Sequence, residues 1–352
     1  MAIYAIWNNK GGVGKSYLTF QLASQYARQN PNKKVLVADL CPQANSSSML
    51  LGGMSEGEKI LTQIHTAKPK CTISGYIEDR VLSPYVSPQS GSSYTTRVSE
   101  YNNRIPDNLY LVVGDEQLEM QASKVTSATF PGPQEAWRIV HLWVRDLIAD
   151  ILTSWNNEDS CVFIDCNPSF SIYTELALTA ADRLIIPFSA DGSSKRAVKA
   201  VLSLVYGRVR HQGDPQSEYY LNSERYKMTL PSIYMYVGNR LTQMNNSSAS
   251  AFKTVVNEIS EEIWSVWQYS PQSFYIHPYG APTPNSKKTF KAMFQYEVND
   301  ANTASVVSGA LGIPIASLTA GPKTVAGRSI KVNQSQLEKQ VPNITQLVKQ
   351  IE

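Results

Sequence analysis

Two lysines, three glycines and a serine fall within seven residues near the start of the chain, Lys10-Gly11-Gly12-Val13-Gly14-Lys15-Ser16. An apolar run, Ile3 to Trp7, precedes them, and a helical pattern, Leu18 to Arg28, follows. Strand, glycine loop and helix in that order make a phosphate-binding loop. The glycines let the backbone curl so that several N–H groups face one anion. The start of the helix adds its positive end. Lys15 reaches phosphate as a point charge, and the Ser16 hydroxyl can ligate Mg2+. Gly11, Gly12, Val13, Gly14, Lys15, Ser16 and Tyr17 are the candidate nucleotide contacts. Lys10, at the mouth, is an extra cation that a bare phosphate loop does not need.

Two carboxylates belong with this loop. Lys33 to Asp39 reads as a buried parallel strand ending in an acid, and Ser160 to Asp165 as another. With the intervening helix, the first two strands form a βαβ unit, so the sheet is expected to be parallel with a right-handed crossover. A buried strand that closes on Asp165 puts that carboxylate beside the Mg2+ shell. The candidate metal residues on this ground are Ser16 and Asp165.

The loop resembles the deviant Walker A motif, KGGVGK[ST], of the ParA/MinD family of ATPases. Asp39-Leu40-Cys41-Pro42-Gln43-Ala44-Asn45 is similar to that family's DxDPQGN switch, with Ala44 in place of the glycine and Cys41 in place of the second aspartate. Leu109 to Gly114, Asp165-Cys166-Asn167-Pro168-Ser169, Ala180-Ala181-Asp182, Asn239-Arg240 and Gly312-Ile313-Pro314 resemble later family segments, in order along the chain. The resemblance implies ATP and Mg2+ as cofactors. It implies that Lys10 reaches the partner's nucleotide in an ATP-bound homodimer. It gives Lys10, Lys15 and Asp39 catalytic roles, with Asp39 holding a Mg2+-bound water and so joining the candidate metal residues, and Asn239 a contact to adenine. Cys41 stands where the family carries the acid that orients the attacking water. A thiol is a poor substitute for that acceptor, so slow hydrolysis is expected.

The expected fold is α/β, a doubly wound, mostly parallel sheet flanked by helices. One domain spans residues 1–352, with surface insertions near 53–106 and 211–231 and a helical tail near 334–352. Short helices are expected near Gly57–His65 and Ile73–Leu82. Single helices are expected over Glu135–Thr153, Ser193–Val209 and Ala249–Trp267. By resemblance, Val306 to Ile315 should form a late loop and a strand bordering the base. Pro342 should interrupt the last helix.

The 352 residues carry a net charge of +3 and 42% hydrophobic residues, ordinary values for a globular protein. Four scattered cysteines show no metal-ligand spacing and fit a reducing cytoplasm. The N-terminus has no basic region followed by an apolar segment, and no run approaches about 20 apolar residues, so neither a signal peptide nor a membrane partner is expected.

Basic residues cluster in two regions. Ser193 to Arg240 holds eight Lys or Arg against three acids, and Gly280 to Glu352 eight against four. Lys195, Arg196, Lys199, Arg208 and Arg210 fall in the first, and Lys287, Lys288 and Lys291 with Lys323, Arg328 and Lys331 in the second. Such clusters can meet nucleic-acid phosphates despite a small net charge. The resemblance implies non-specific DNA binding in plasmid or chromosome partition, a ParB-like or other adaptor protein that stimulates turnover, and a cytoplasmic, nucleoid-associated location. The alternative is an ATP-sensing or cargo-positioning protein of the same fold with little hydrolysis.

Overall fold

Four apolar runs make the centre of the sheet: β1 (Ala2–Ile6), β2 (Lys34–Asp39), β5 (Ser160–Asp165) and β6 (Arg183–Phe188). They are buried on both faces, so their residues are apolar almost without alternation. The computed structural model describes residues 1–130, 132–189, 191–208, 214–241 and 248–352.

Between β1 and β2 lies α1 (Lys15–Gln29). After β2 come α2 (Asn45–Leu51), α3 (Gly53–Thr66), α4 (Ile73–Leu82), β3 (Thr96–Arg97) and β4 (Leu109–Val112). Helices α5 (Leu118–Ala128), α6 (Ala136–His141) and α7 (Trp143–Ser154) lead to β5, and α8 (Ile172–Ala180) links β5 to β6. The second half holds α9 (Gly192–Tyr206), α10 (Glu218–Arg225), β7 (Ser232–Leu241), α11 (Ser248–Tyr269), α12 (Lys287–Phe294) and β8 (Gln295–Asn299). The chain then runs through α13 (Thr303–Leu311), β9 (Gly321–Val325), β10 (Arg328–Val332) and α14 (Gln334–Val348).

The main sheet has eight strands in the order β3-β4-β2-β5-β1-β6-β7-β8. Among the described residues only the two-residue edge strand β3 is antiparallel to its neighbour in this sheet. This is the doubly wound, mostly parallel sheet expected from the sequence. Side chains alternate between the two layers: Ile3, Ala5 and Trp7 face the helices α4 to α12, and Ala2, Tyr4 and Ile6 face α1 to α3, α13 and α14. The register sets Ile6 and Asp39 on either side of Asp165. The phosphate loop and both carboxylates therefore emerge at one end of three adjacent strands, at the switch point where such folds bind ligands.

Several expectations need correction. The helix over Glu135–Thr153 is two helices that meet at Leu142. At the bend, His141 Nδ1 contacts the Trp137 carbonyl and its ring stacks on Trp137 at 3.6 Å. The segment Val306 to Leu311 is neither loop nor strand but the body of α13, which Gly312 ends in a left-handed conformation (φ 59°). Its small residues pack closely on α2 and α3: a Cβ at Gly309 would come within 3.2 Å of Met49 Sδ, and one at Gly53 within 2.3 Å of the Ala310 carbonyl. Pro342 does not break α14, which runs through it. The carbonyl that loses a donor there is that of Glu338, an exposed residue that water can serve. Helix α9 stops at Tyr206 because Gly207 takes a left-handed C-cap (φ 63°).

Strand β8, helix α12 and the β9–β10 hairpin were not foreseen. Within 53–106, helices α3 and α4 fall where expected, and Tyr94, Val98 and Ile105 are buried in the core. Residues 211–213 of the region 211–231 lie outside the described set, as does Arg210. Its remainder includes α10, whose Tyr219 packs against Trp137.

Candidate functional site: a phosphate loop over two buried aspartates

The loop between β1 and α1 needs glycine at two points. Gly12 (φ 75°) and Gly14 (φ 79°) both sit in the left-handed region. Gly14 is also the N-cap of α1, so the backbone turns straight into the helix. Val13 is fully buried and faces the core. Lys15 is almost buried, and its Nζ donates to the carbonyls of Lys10 (2.8 Å) and Asn8 (3.3 Å). Burial lowers its pKa, and the nearby Asp165 opposes that shift.

Asp39 and Asp165 lie side by side beneath the loop, both fully buried. Asp39 is well supplied with donors: the Cys41 N–H at 3.1 Å, the Ser47 N–H at 3.0 Å and the Ser47 hydroxyl at 2.7 Å. Ser47 Oγ in turn accepts from the Gly114 N–H at 2.9 Å. Both oxygens of Asp165 lack a hydrogen-bond partner among the described residues. Burial first, then the charge of Asp39, pushes its pKa up to about 7. The Ser16 and Ser46 hydroxyls lie near enough to oppose that rise, but a fully buried carboxylate without a well-formed hydrogen bond is costly unless a cation satisfies it. The Ser16 hydroxyl beside it supplies a second hard oxygen. Ser16, Asp165 and the rigid Asp39 therefore fit a Mg2+ ion and its bound waters.

Cys41 lies next to this pair, 3% exposed. Burial, then Asp39 and Asp165, pushes its thiol up to about 12, so it is neutral at physiological pH. The side chains around it border a cavity of about 740 Å3. Gly11, Gly12, Gly14, Lys15, Ser16, Cys41, Gln43, Cys166 and Pro168 line one part, and Tyr17, with residues of α2, α3 and α13, lines the rest.

Two sequence candidates point elsewhere. Lys10 does not line the cavity; its Nζ is held by Asp191, with Ser189 and Ser194 each at 3.3 Å. Asp191 is the N-cap of α9 and accepts from the Ser193 and Ser194 N–H groups. Asn239 is fully buried under the loop, where its Nδ2 donates to the Val13 (2.9 Å) and Gly14 (3.3 Å) carbonyls. It braces the loop from below.

Sequence reasoning missed four contributors. Ser47 holds Asp39, and Gly114 leaves room for it: a Cβ at Gly114 would lie 2.8 Å from Asp39 Cγ. Ser46 is fully buried beside both aspartates. Asp191 holds Lys10. A serine run straight after the switch motif was the one sequence signal for the first and third of these. Gly114 and Asp191 meet their partners only through the fold.

A family model for an AAA domain matches residues 1–213. No curated protein matches the chain. Among solved structures, an ATP complex of McdA from Cyanothece has 16% identity and a TM-score of 0.59, covering 100% of this chain and 98% of that one. Apo McdA from Cyanothece has 15% identity and a TM-score of 0.58, covering 98% of each chain. ParA of pNOB8 has 14% identity and a TM-score of 0.51, covering 84% of each chain. These likenesses carry the fold alone. The family match spans more than half of the chain and includes the loop and both aspartates, so this chain belongs to the AAA domain family.

Proposed function

We propose that this protein is a Mg-ATP-dependent switch that pairs with a second copy when ATP binds. The observation that carries this reading is the position of Lys10. Lys15, Ser16, Asp39 and Asp165 are enough to hold one nucleotide and its metal. Lys10 is a second loop cation that its own cavity does not use. Its release from Asp191 would free it to meet the phosphates bound by a partner subunit.

Within one subunit the loop N–H groups and Lys15 bind the triphosphate, and the α1 N-terminus adds its dipole. Ser16 and Asp165 hold Mg2+, which supplies charge neutralisation when bound. Asp39, fixed by Ser47, would complete the oxygen donors around that site. Asn239 keeps the loop in shape from below through the Val13 and Gly14 carbonyls. Cys41 gives the attacking water no carboxylate, so turnover is slow and depends on an adaptor protein of ParB-like or other type.

The closed dimer binds DNA non-specifically and serves plasmid or chromosome partition, or the positioning of another cargo, in the cytoplasm on the nucleoid. No helix among the described residues is long and apolar enough to cross a membrane. Part of the basic surface is already engaged. Lys195, Lys199 and Lys287 pair with Glu258, Glu262 and Glu261 of α11. Among the described residues Arg196, Lys288, Lys323, Arg328 and Lys331 have no acidic partner and are the better candidates. A second reading, an ATP sensor with almost no hydrolysis, is favoured by the neutral thiol of Cys41.

Light scattering with and without Mg-ATP tests the main reading. Wild type should dimerise with ATP, and Lys10→Ala and Lys15→Ala should stay monomeric. A Lys10→Ala protein that dimerises like wild type would remove the switch. Steady-state hydrolysis no higher than that of Lys15→Ala, with and without DNA, would favour the sensor.

A further inference from the structure

The cavity has two chemically different ends. Lys15, Ser16, Cys41 and Cys166 form one. Helix α2 starts there, where Ser47 binds Asp39, and leads away to α3. Helix α3 then closes tightly on α13: a Cβ at Gly53 would lie 2.3 Å from the Ala310 carbonyl. The second end is apolar, with Tyr17, Met49, Met54, Val306 and Ala310 along its walls. Gly309 keeps it open, since a Cβ there would come within 3.2 Å of Met49 Sδ. Tyr17 is fixed in place, its hydroxyl donating to Gln340 Oε1 of α14 at 2.8 Å.

One acid, Glu58 on α3, is found among the described residues that line this cavity. Its Oε1 accepts from the Ser48 hydroxyl at 2.6 Å, which sets the rotamer and leaves Oε2 for a ligand. An ionised carboxylate only accepts hydrogen bonds and repels phosphate. The phosphates belong at the Lys15 end, and the metal has Asp39 and Asp165. A nucleotide whose phosphates sit on Lys15 presents two further kinds of donor at the apolar end, ribose hydroxyls and base amines. A planar base belongs against the apolar side chains at this end of the cavity, Met49, Met54 and Val306 among them. Glu58 is exposed at the rim, where the sugar edge would meet water.

We infer that Glu58 accepts a hydrogen bond from a ribose hydroxyl of the bound nucleotide and makes the site prefer ribonucleotides to deoxyribonucleotides. This rests on the nucleotide reading above and adds a specificity residue to it. A carboxylate that receives the sugar hydroxyl is an established solution in other nucleotide folds. A site built for a hydroxyl discriminates against the analogue that lacks it by the worth of the lost charge-assisted hydrogen bond.

The test is equilibrium binding of ATP, 2′-deoxy-ATP, 3′-deoxy-ATP and inosine triphosphate, each with Mg2+, to full-length wild type, Glu58→Gln and Glu58→Ala. Wild type should bind ATP about tenfold more tightly than at least one deoxy analogue. Glu58→Ala should bind ATP as weakly as that analogue, with affinity for the analogue unchanged. Glu58→Gln, which keeps an acceptor, should retain part of the preference. Equal wild-type affinity for ATP and both deoxy analogues would overturn the inference. So would a Glu58→Ala protein that weakens all four ligands alike, which would mark a structural role, or one that loses discrimination only against inosine triphosphate, which would place the carboxylate on the base. A wild type that binds no ATP at all would instead remove the nucleotide reading itself.

Discussion

Lys10 Nζ is anchored to the carboxylate of Asp191, a residue 181 positions away that also caps helix α9. If Lys10 acts in a partner subunit, this contact must break for the dimer to form. Asp191→Asn keeps the cap and removes the charge, so it should lower the ATP concentration needed for dimerisation. Asp191→Ala should do the same but also destabilise the fold by about 1 kcal/mol through loss of the cap. Light scattering and thermal melting separate the two effects. Burial opposes the charge of Asp191, but Lys10, Ser193 and Ser189 outweigh it and hold the carboxyl below the usual range. A depressed pKa means that the contact contributes fully above the unfolded value of about 3.9 and is lost only as pH falls through the lower folded value. Dimerisation that changes between about pH 5 and 8 would therefore have another cause.

Gly114 abuts Asp39, and a methyl group there would meet its Cγ at 2.8 Å and Oδ2 at 2.9 Å. The carboxylate is held by three donors and cannot retreat freely. Gly114→Ala should raise the Mg2+ concentration needed for tight ATP binding while leaving affinity in EDTA nearly unchanged. Titration calorimetry with and without Mg2+ reads this directly. An equal loss under both conditions would mean a general collapse of the site.

The neutral thiol of Cys41 can be replaced by the acid its position lacks. Cys41→Asp should raise steady-state hydrolysis by about a hundredfold, the low end of the usual span for a positioned acid or base. It also puts a third carboxylate beside Asp39 and Asp165. The apo protein should therefore melt at lower temperature, with much of the loss restored by Mg-ATP. Cys41→Ser, which adds no acceptor charge, should do neither.

Asn239 bonds two carbonyls of the phosphate loop. Asn239→Ala should cost about 1–3 kcal/mol of stability, because buried acceptors lose their donors. It should also weaken binding of inorganic triphosphate, which has no base, nearly as much as binding of ATP. A loss confined to ATP would assign Asn239 to adenine recognition instead.

Much of this architecture was legible because its signals are local. Val35 to Asp39 and Cys161 to Asp165 are short apolar runs closing on an acid, and the glycine spacing of the loop has few other uses. Strand β8 was missed because Gln295-Tyr296-Glu297-Val298-Asn299 carries only two apolar residues and lies at the sheet edge. Helix α13 was read as loop because its small residues suit close packing, which only α2 and α3 explain. The same holds for the site. Lys10 was found by its spacing, but its partner Asp191 and the spacer Gly114 depend on contacts between distant segments.

The acidic face of α11 changes what salt does to any DNA complex. Lys195, Lys199 and Lys287 must leave Glu258, Glu262 and Glu261 before they can meet a phosphate. Added salt weakens those internal pairs as well as the phosphate contacts. The affinity should therefore fall with salt less steeply than the number of nearby lysines implies, as though the surface carried fewer charges. Replacing Glu261 with Gln should steepen that slope while strengthening binding at low salt. The α11 carboxylates thus act as built-in counterions, already condensed on the protein before DNA arrives.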